Sequence, residues 1–326
     1  MSRCLDICWP RIANVRQMLD ETERRIVSVL LASPRASWRA VGEALGISER
    51  TVVRRALPLF QDGTLRATAV RNPMHFPGYI PMALRIRCRP NRIRAVAATL
   101  ARRPDTVSVD VIGGGDEICA VFQIIGTEAR NSLLLRDLPA TTAVESWTSY
   151  TMLRVFPTAF LWNGEAVKPP LVVEQVVPPS RHDIDEALIG GLVADGRASY
   201  TELAGRCGAS ALTARRRVDA LVRGLSLRVA IEVDVGLLGV HGEAMLWLNV
   251  APGELDATGE ALSQHPEVRF VAATTGRANL VVAVAATDLA ALYEFLTGGG
   301  VDRSVGIEVT PILTTVKRTG LVRAGV

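Results

Sequence analysis

At 326 residues, with 48% hydrophobic and 21% charged side chains, the chain is long enough for several globular domains and too apolar to be intrinsically disordered. Its net charge of +4 permits contact with nucleic acid without demanding it. Of the 37 basic residues only Lys168 and Lys317 are lysines, a bias that a GC-rich genome would produce as readily as phosphate binding would.

The five cysteines (Cys4, Cys8, Cys88, Cys119, Cys207) are odd in number and scattered. That argues against a disulfide framework or a structural zinc site, and no metal or cofactor is expected. No apolar run reaches the roughly 18 residues of a membrane span, so a cytoplasmic protein is expected. Residues 1–17 do not read as a signal peptide, and Met18 is expected to be the natural start.

Helical patterning begins at once. Ile26, Val29 and Leu30 mark a first helix; Ala40, Val41, Ala44 and Leu45 mark a second, with Ser37 as its N-cap. Gly46 supplies a break. Ser48 then caps a third helix whose buried stripe is Val52, Ala56 and Leu59. Pro58 is expected to end that helix near Leu57 or to kink it, because proline lacks a backbone donor and clashes one turn back. Helix, helix, tight turn and helix make a helix-turn-helix, and the basic strand Leu65 to Val70 adds a wing; the domain is placed at 19–68.

A different pattern follows over 78–156. Strands are predicted at 83–87, 107–111, 118–125 and 144–153, and helices at 92–100 and 128–135, which is the ferredoxin-like βαββαβ order. A Pro-rich linker is placed at 157–181. The cycle then repeats, with a second helix-turn-helix at 182–230 and a second βαββαβ domain at 241–320 whose strands fall at 244–250, 269–274, 280–285 and 305–313. Gly190 and Gly191 weaken the first helix of this copy. The fold class is thus α+β: a winged helix-turn-helix followed by a ferredoxin-like domain, written twice.

The duplication shows in the residues. Arg35-Ala36-Ser37-Trp38 returns as Arg197-Ala198-Ser199-Tyr200, and at the same offset Gly46 meets Gly208, Ser48 meets Ser210, Arg54-Arg55 meets Arg216-Arg217 and Gly114 meets Gly276. A sheet with both helices on one face leaves its other face bare, so the two copies are expected to pack on each other or on another chain.

Two constellations follow from this layout. The third helices carry Ser48, Arg50, Arg54 and Arg55, and Ser210, Arg215, Arg216 and Arg217; arginines so placed can reach guanine edges or phosphates of double-stranded DNA. On an isolated helix they would read as solvated charges, but the trihelical setting in both copies favours DNA. The loops between the second and third sheet strands carry Gly114, Asp116 and Glu117, and Thr275, Gly276, Arg277 and Asn279. Glycine there lets backbone N–H groups approach an anion, although a plain hairpin turn explains it equally well. Glu117 would suit an ammonium and Arg277 a carboxylate. His75, His182, His241 and His265 are not at metal-ligand spacing, and Trp147, Trp162 and Trp247 read as core or interface residues.

Each half resembles the Lrp/AsnC (leucine-responsive, feast/famine) transcriptional regulators. Leu19-Asp20, Arg35-Ala36-Ser37, Ser48 with Arg55 and Leu59, and Gly63 carry the resemblance in the first copy. Asp185, Gly196-Arg197-Ala198-Ser199, Arg217, Leu221 and the stretch from Val268 through Thr275-Gly276 to Val316-Lys317 carry it in the second. The resemblance implies a DNA-binding domain followed by a domain that senses a small effector, often an amino acid. It also implies pairing through the second domains, here within one chain, with further homo-oligomerisation expected. The effector loops depart from the family pattern, since the aromatic is missing and the closing aspartate is Glu117 or Asn279. The leading expectation is therefore a sequence-specific regulator and not an enzyme. The rivals are a tetrapyrrole (haem-precursor) decarboxylase on the same scaffold and a metabolite-sensing interaction protein that does not bind DNA.

Overall fold

The computed structural model describes residues 18–161, 177–299, 301 and 306–323. Cys4, Cys8, Trp162 and the middle of the expected linker lie outside the described residues.

The first helix-turn-helix domain, or reader, consists of α1 (Glu21–Ala32), α2 (Trp38–Leu45) and α3 (Glu49–Gln61), followed by the wing strand β1 (Arg66–Arg71). Its caps are those the sequence implies. Asp20 and Glu23 form a capping box on α1, the Ser37 hydroxyl accepts from Ala40 N, and Gly46 ends α2 at φ 68°. Pro58 does not end α3, the first of the two outcomes expected of it. The helix runs on to Gln61, because Val52, Ala56 and Leu59 are fully buried and hold both sides of the proline, and Pro58 O accepts from Asp62 N.

The first α/β unit runs β2 (Tyr79–Cys88), α4 (Ile93–Arg102), β3 (Thr106–Ile112), β4 (Glu117–Ile125), α5 (Thr127–Ser132) and β5 (Val144–Val155). A π-helical turn, Leu133–Asp137, extends α5 into the short α6 (Leu138–Ala140). After α7 (Thr158–Leu161) the second reader opens with α8 (Asp185–Ala194), α9 (Tyr200–Cys207), α10 (Ala211–Arg223) and the wing β6 (Leu227–Glu232). The second α/β unit is β7 (Gly242–Asn249), α11 (Leu255–Ser263), β8 (Val268–Thr274), β9 (Leu280–Ala286), α12 (Leu289–Thr297) and β10 (Gly306–Arg318), with a short β11 (Leu321–Val322) behind it. Of Gly190 and Gly191, the second has a packing reason: a Cβ on it would lie 2.6 Å from Leu203 Cδ2, so its absence lets α8 and α9 approach closely.

The two copies are interlocked in both layers. In the reader layer β1 and β6 pair antiparallel, and each wing fills the other reader's core. Ala69 and Phe76 pack with Leu188, Leu203 and Val218, while Ile231 and Val233 pack with Ile26, Val52 and Leu59. In the second layer a nine-stranded sheet runs β11-β10-β3-β4-β2-β5-β8-β9-β7, and β10 also pairs with β7, so all strands but β11 close into a ring.

Closure comes from the two long final strands. Residues 144–151 of β5 pair with β2 of its own unit, and residues 152–155 pair with β8 of the other. Residues 306–311 of β10 pair with β7, and residues 312–317 pair with β3. Pro311 stands at that changeover, where a missing N–H donor is tolerated. Each unit keeps its helices on the outer face, over Leu84, Ile86 and Phe122 in one and over Leu246, Val271 and Val282 in the other. The inner faces meet through Ala83, Tyr150, Met152, Met245, Trp247, Ala272 and Val281. Tyr150 and Trp247 touch across this seam at a ring separation of 4.9 Å. Closing the ring removes sheet edges that would otherwise invite another chain.

Candidate nucleic-acid interface and effector cleft

Ser48 and Ser210 are the N-caps of α3 and α10. Each hydroxyl accepts a hydrogen bond from the backbone N–H three residues on (Thr51 and Thr213) at 3.1 Å. They therefore fix where the helices begin.

The arginines divide into two kinds. Arg55 pairs with Asp20 at 2.8 Å, and Arg217 grips both carboxylate oxygens of Asp185 while donating to Ser180 O. In both readers this arginine ties the third helix to the start of the first. The second tie is much drier: the Arg217 and Asp185 side chains are 13% and 3% exposed, against 41% and 45% for Arg55 and Asp20. Burial works against ionised Asp185, yet the Arg217 hydrogen bonds outweigh it and hold the carboxyl below its ordinary range. Sequence reasoning grouped Arg55 and Arg217 with the DNA-facing set; the structure spends them within the protein.

Arg50, Arg54, Arg215 and Arg216 are exposed. Arg215 has Asp219 one turn on, at 3.8 Å, and Arg50, Arg54 and Arg216 have no ion-pair partner among the described residues. Each reader thus shows a capped helix start beside uncommitted guanidinium groups, a surface that can take phosphates and base edges.

The loop residues of the two units do not form two separate sites. Glu117 from the first unit and Arg277 from the second line one cleft of about 370 Å³, together with Tyr150, Trp247 and Glu308. Arg85 stands at its centre. It donates to Glu117 at 2.7 Å and to both oxygens of Glu308 at 2.8 and 2.9 Å, and its guanidinium lies 4.6 Å from the centre of the Trp247 ring. Burial opposes the Arg85 charge, but the two carboxylates more than compensate and raise its pKa. The Arg85 hydrogen bond, ahead of the opposing effect of burial, holds Glu308 below the usual carboxylate range.

Other loop residues have local roles. The Asn279 side chain donates to Val250 O and accepts from Val250 N, at 2.7 and 2.9 Å. The Thr275 hydroxyl accepts from Thr151 N, and Gly276 sits at φ 103° with Tyr150 against it. Asp116 lies 3.7 Å from Arg87, and Gly114 is exposed. Sequence reasoning missed Arg85, Trp247 and Glu308 as cleft residues. The only signal was a charge on the strand face opposite Leu84 and Ile86, and its partner is far away in the chain.

A further cavity lies within the strand ring, closed at one end by the reader layer. None of the four histidines lines it or the cleft. His265 lies 3.1 Å from Glu267, a carboxylate neighbour that sequence reasoning did not give it, and His75 lies between Asn72 and Ser226. Among the described residues no cluster of three metal-ligating side chains occurs, and no helix is long and apolar enough to cross a membrane.

Comparisons with known proteins agree with this anatomy. The AsnC-type helix-turn-helix domain matches residues 19–57 and 183–222, and the Lrp/AsnC ligand binding domain matches residues 243–322. An HTH-type transcriptional regulator of Pyrococcus horikoshii is 31% identical over 154 residues, spanning 97% of that protein but 45% of this chain. One from Mycobacterium tuberculosis is 30% identical over 143 residues, spanning 93% of it and 41% of this chain. Nearly whole relatives thus match less than half of the chain, as two fused units require. Among solved structures, the siroheme decarboxylase NirDL superposes over 93% of this chain and 94% of its own, with a TM-score of 0.58 and 12% identity, a likeness of fold. The chain belongs to the Lrp/AsnC family of helix-turn-helix transcriptional regulators and carries the family's reader domain twice.

Proposed function

We propose that this regulator is a dimer built into one polypeptide, which presents two readers to DNA and answers to a small zwitterion bound where the two α/β units meet. The readers contact DNA through the exposed arginines Arg50, Arg54, Arg215 and Arg216, with the starts of α3 and α10 set by Ser48 and Ser210. The observation that carries this reading is the exchanged wing pair β1–β6, which joins the readers to each other so that both helices are offered by one layer. Such a layer suits an operator with two half-sites.

The effector reading rests on the cleft. Arg277 supplies a cation for a carboxylate, Glu117 and Glu308 supply anions for an ammonium, and Trp247 supplies an apolar wall. That chemistry fits an amino acid. Its binding would shift the chain between DNA-binding states by differential affinity.

The whole-length likeness to a siroheme decarboxylase raises an enzymatic reading. The inner cavity gives it little support: it measures about 180 Å³, below the roughly 300–1,000 Å³ of ordinary ligand pockets, and no histidine among the described residues lines it.

The test is fluorescence anisotropy with the chain's own upstream DNA at several salt concentrations, with and without each amino acid. True phosphate contact weakens steeply as salt rises. DNA affinity that is undetectable at low salt would overturn the reader assignment. Affinity unchanged by every amino acid, in wild type and in Arg277→Ala alike, would overturn the effector assignment.

A further inference from the structure

The cavity inside the strand ring is apolar over most of its wall. Met152, Met245, Phe270, Val281, Ala283 and Ile312 surround it. Against this wall stands a group of buried charges that the reader and cleft do not use. Arg269 and Arg318 both bind Glu243, at 2.8 and 2.9 Å. Arg318 also donates to the Thr315 hydroxyl at 2.7 Å, and that hydroxyl donates to Asp110 at 2.6 Å. Arg228 reaches Ala159 O at the reader end, where Glu232 is held by Thr319 and Arg323.

The carboxylates of this group are already engaged: Asp110 by Thr315, Glu243 by Arg269 and Arg318, and Glu232 by Thr319 and Arg323, with Arg323 also 3.3 Å from Asp234. Arg318 is 9% exposed, and its second terminal nitrogen, Nη1, is buried with no hydrogen-bond acceptor among the described residues. A buried guanidinium N–H left without an acceptor keeps an unmet desolvation penalty, so it is a group that an acceptor from outside would satisfy.

We propose that this cavity is a binding site for a small aliphatic carboxylate, separate from the Arg85 cleft, in which Arg318 Nη1 donates to the carboxylate and the methionine and valine side chains enclose the hydrocarbon tail. A cavity of about 180 Å³ takes a short branched chain and excludes bulky ring systems. The wall is shared between layers: Leu31 of α1, Val70 of β1 and Ile231 of β6 line it beside the strands of the ring. An occupant therefore touches both readers and both α/β units at once, and any preference it has for one arrangement of the layers is felt at the DNA-facing side.

Isothermal titration calorimetry on the full chain tests this with 4-methylpentanoate as probe and 4-methylpentan-1-ol and 3-methylbutylamine as controls. The acid is expected to bind and the controls are not. Arg318→Lys keeps the charge and loses the fork, and should weaken binding about tenfold or more. Should that variant fail to fold, Ala283→Phe fills the cavity without touching a charge and should abolish binding while thermal unfolding stays cooperative. Arg277→Ala, in the cleft, should leave binding of the acid unchanged, which separates this site from the amino-acid reading. The proposal is overturned if the wild-type chain shows no heat with the acid at millimolar concentration, if the alcohol binds as well as the acid, or if Ala283→Phe binds as wild type does.

Discussion

Arg35 and Arg197 occupy equivalent positions in the two copies and each holds the other copy's loop. Arg35 donates to Gly196 O and Ala198 O at 2.6 and 2.7 Å, and Arg197 donates to Pro34 O and Ala36 O at 2.6 and 2.8 Å. Each guanidinium also lies over the aromatic ring that opens the other copy's second helix, Tyr200 at 4.6 Å and Trp38 at 4.2 Å. The repeat that first betrays the duplication in the sequence is thus the clasp that joins its products. Burial, then the nearness of Arg35, lowers the Arg197 pKa, so the clasp forms despite a like-charge neighbour.

Removing one arm of this clasp should loosen the reader layer. Arg35→Ala or Arg197→Ala is expected to cost about 2 kcal/mol, the range for hydrogen bonds made by a charged group. The double variant should lose less than the sum, because both arms hold one interface. Urea unfolding followed by tryptophan fluorescence measures all three; full additivity would show that the arms act independently.

The DNA-facing and structural arginines should separate cleanly. Arg54→Ala with Arg216→Ala should weaken operator binding by about 1–3 kcal/mol for each arginine that reads a base edge, or flatten the salt dependence if phosphates are the partners, with little change in thermal stability. Unaltered affinity and salt slope would remove α3 and α10 from the interface.

Asp20 and Asp185 make the same kind of tie at different depths. Asp185→Asn should destabilise the second reader by about 3 kcal/mol, whereas the half-exposed Asp20→Asn should cost less than about 1 kcal/mol. The depressed pKa of Asp185 also fixes the pH dependence. Its contribution is fully present above the unfolded-state value of about 3.9 and is lost as pH falls through the lower folded value. Acid titration of wild type and Asp185→Asn should therefore diverge above that window and converge below it.

The neighbouring glycines of α8 should respond in opposite senses. A Cβ on Gly190 meets nothing within 4 Å, so Gly190→Ala should stabilise by about 0.5–1 kcal/mol through the unfolded chain. Gly191→Ala must displace the buried Leu203 and should lose about 1 kcal/mol or more. Equal effects at both positions would contradict the close approach of α8 and α9.

Much of the architecture was legible because it rests on local chemistry. Ser37, Ser48, Ser199 and Ser210 cap as their spacing implies, Gly46 and Gly208 take positive φ, and the apolar periods of both βαββαβ units place their strands and helices within a few residues. The continuation of α3 through Pro58 shows the limit of such local rules. A rule about one residue was outweighed by burial of Val52, Ala56 and Leu59, whose energy is tertiary.

The candidate sites were less legible. Nothing near Arg55 or Arg217 in the chain marks them as structural, because their partners lie 32 or more positions earlier. Glu117 and Arg277 belong to different copies, and only the exchange of β5 and β10 brings them to one cleft. The amino-acid sequence alone determined the duplicated unit, its elements and its family, since caps, turns and apolar periods act over a few residues. The tertiary structure decided which third-helix arginines are tied within the protein and where the buried charges gather, because an ion pair depends on distance in space, which closure of the ring and exchange of the wings set.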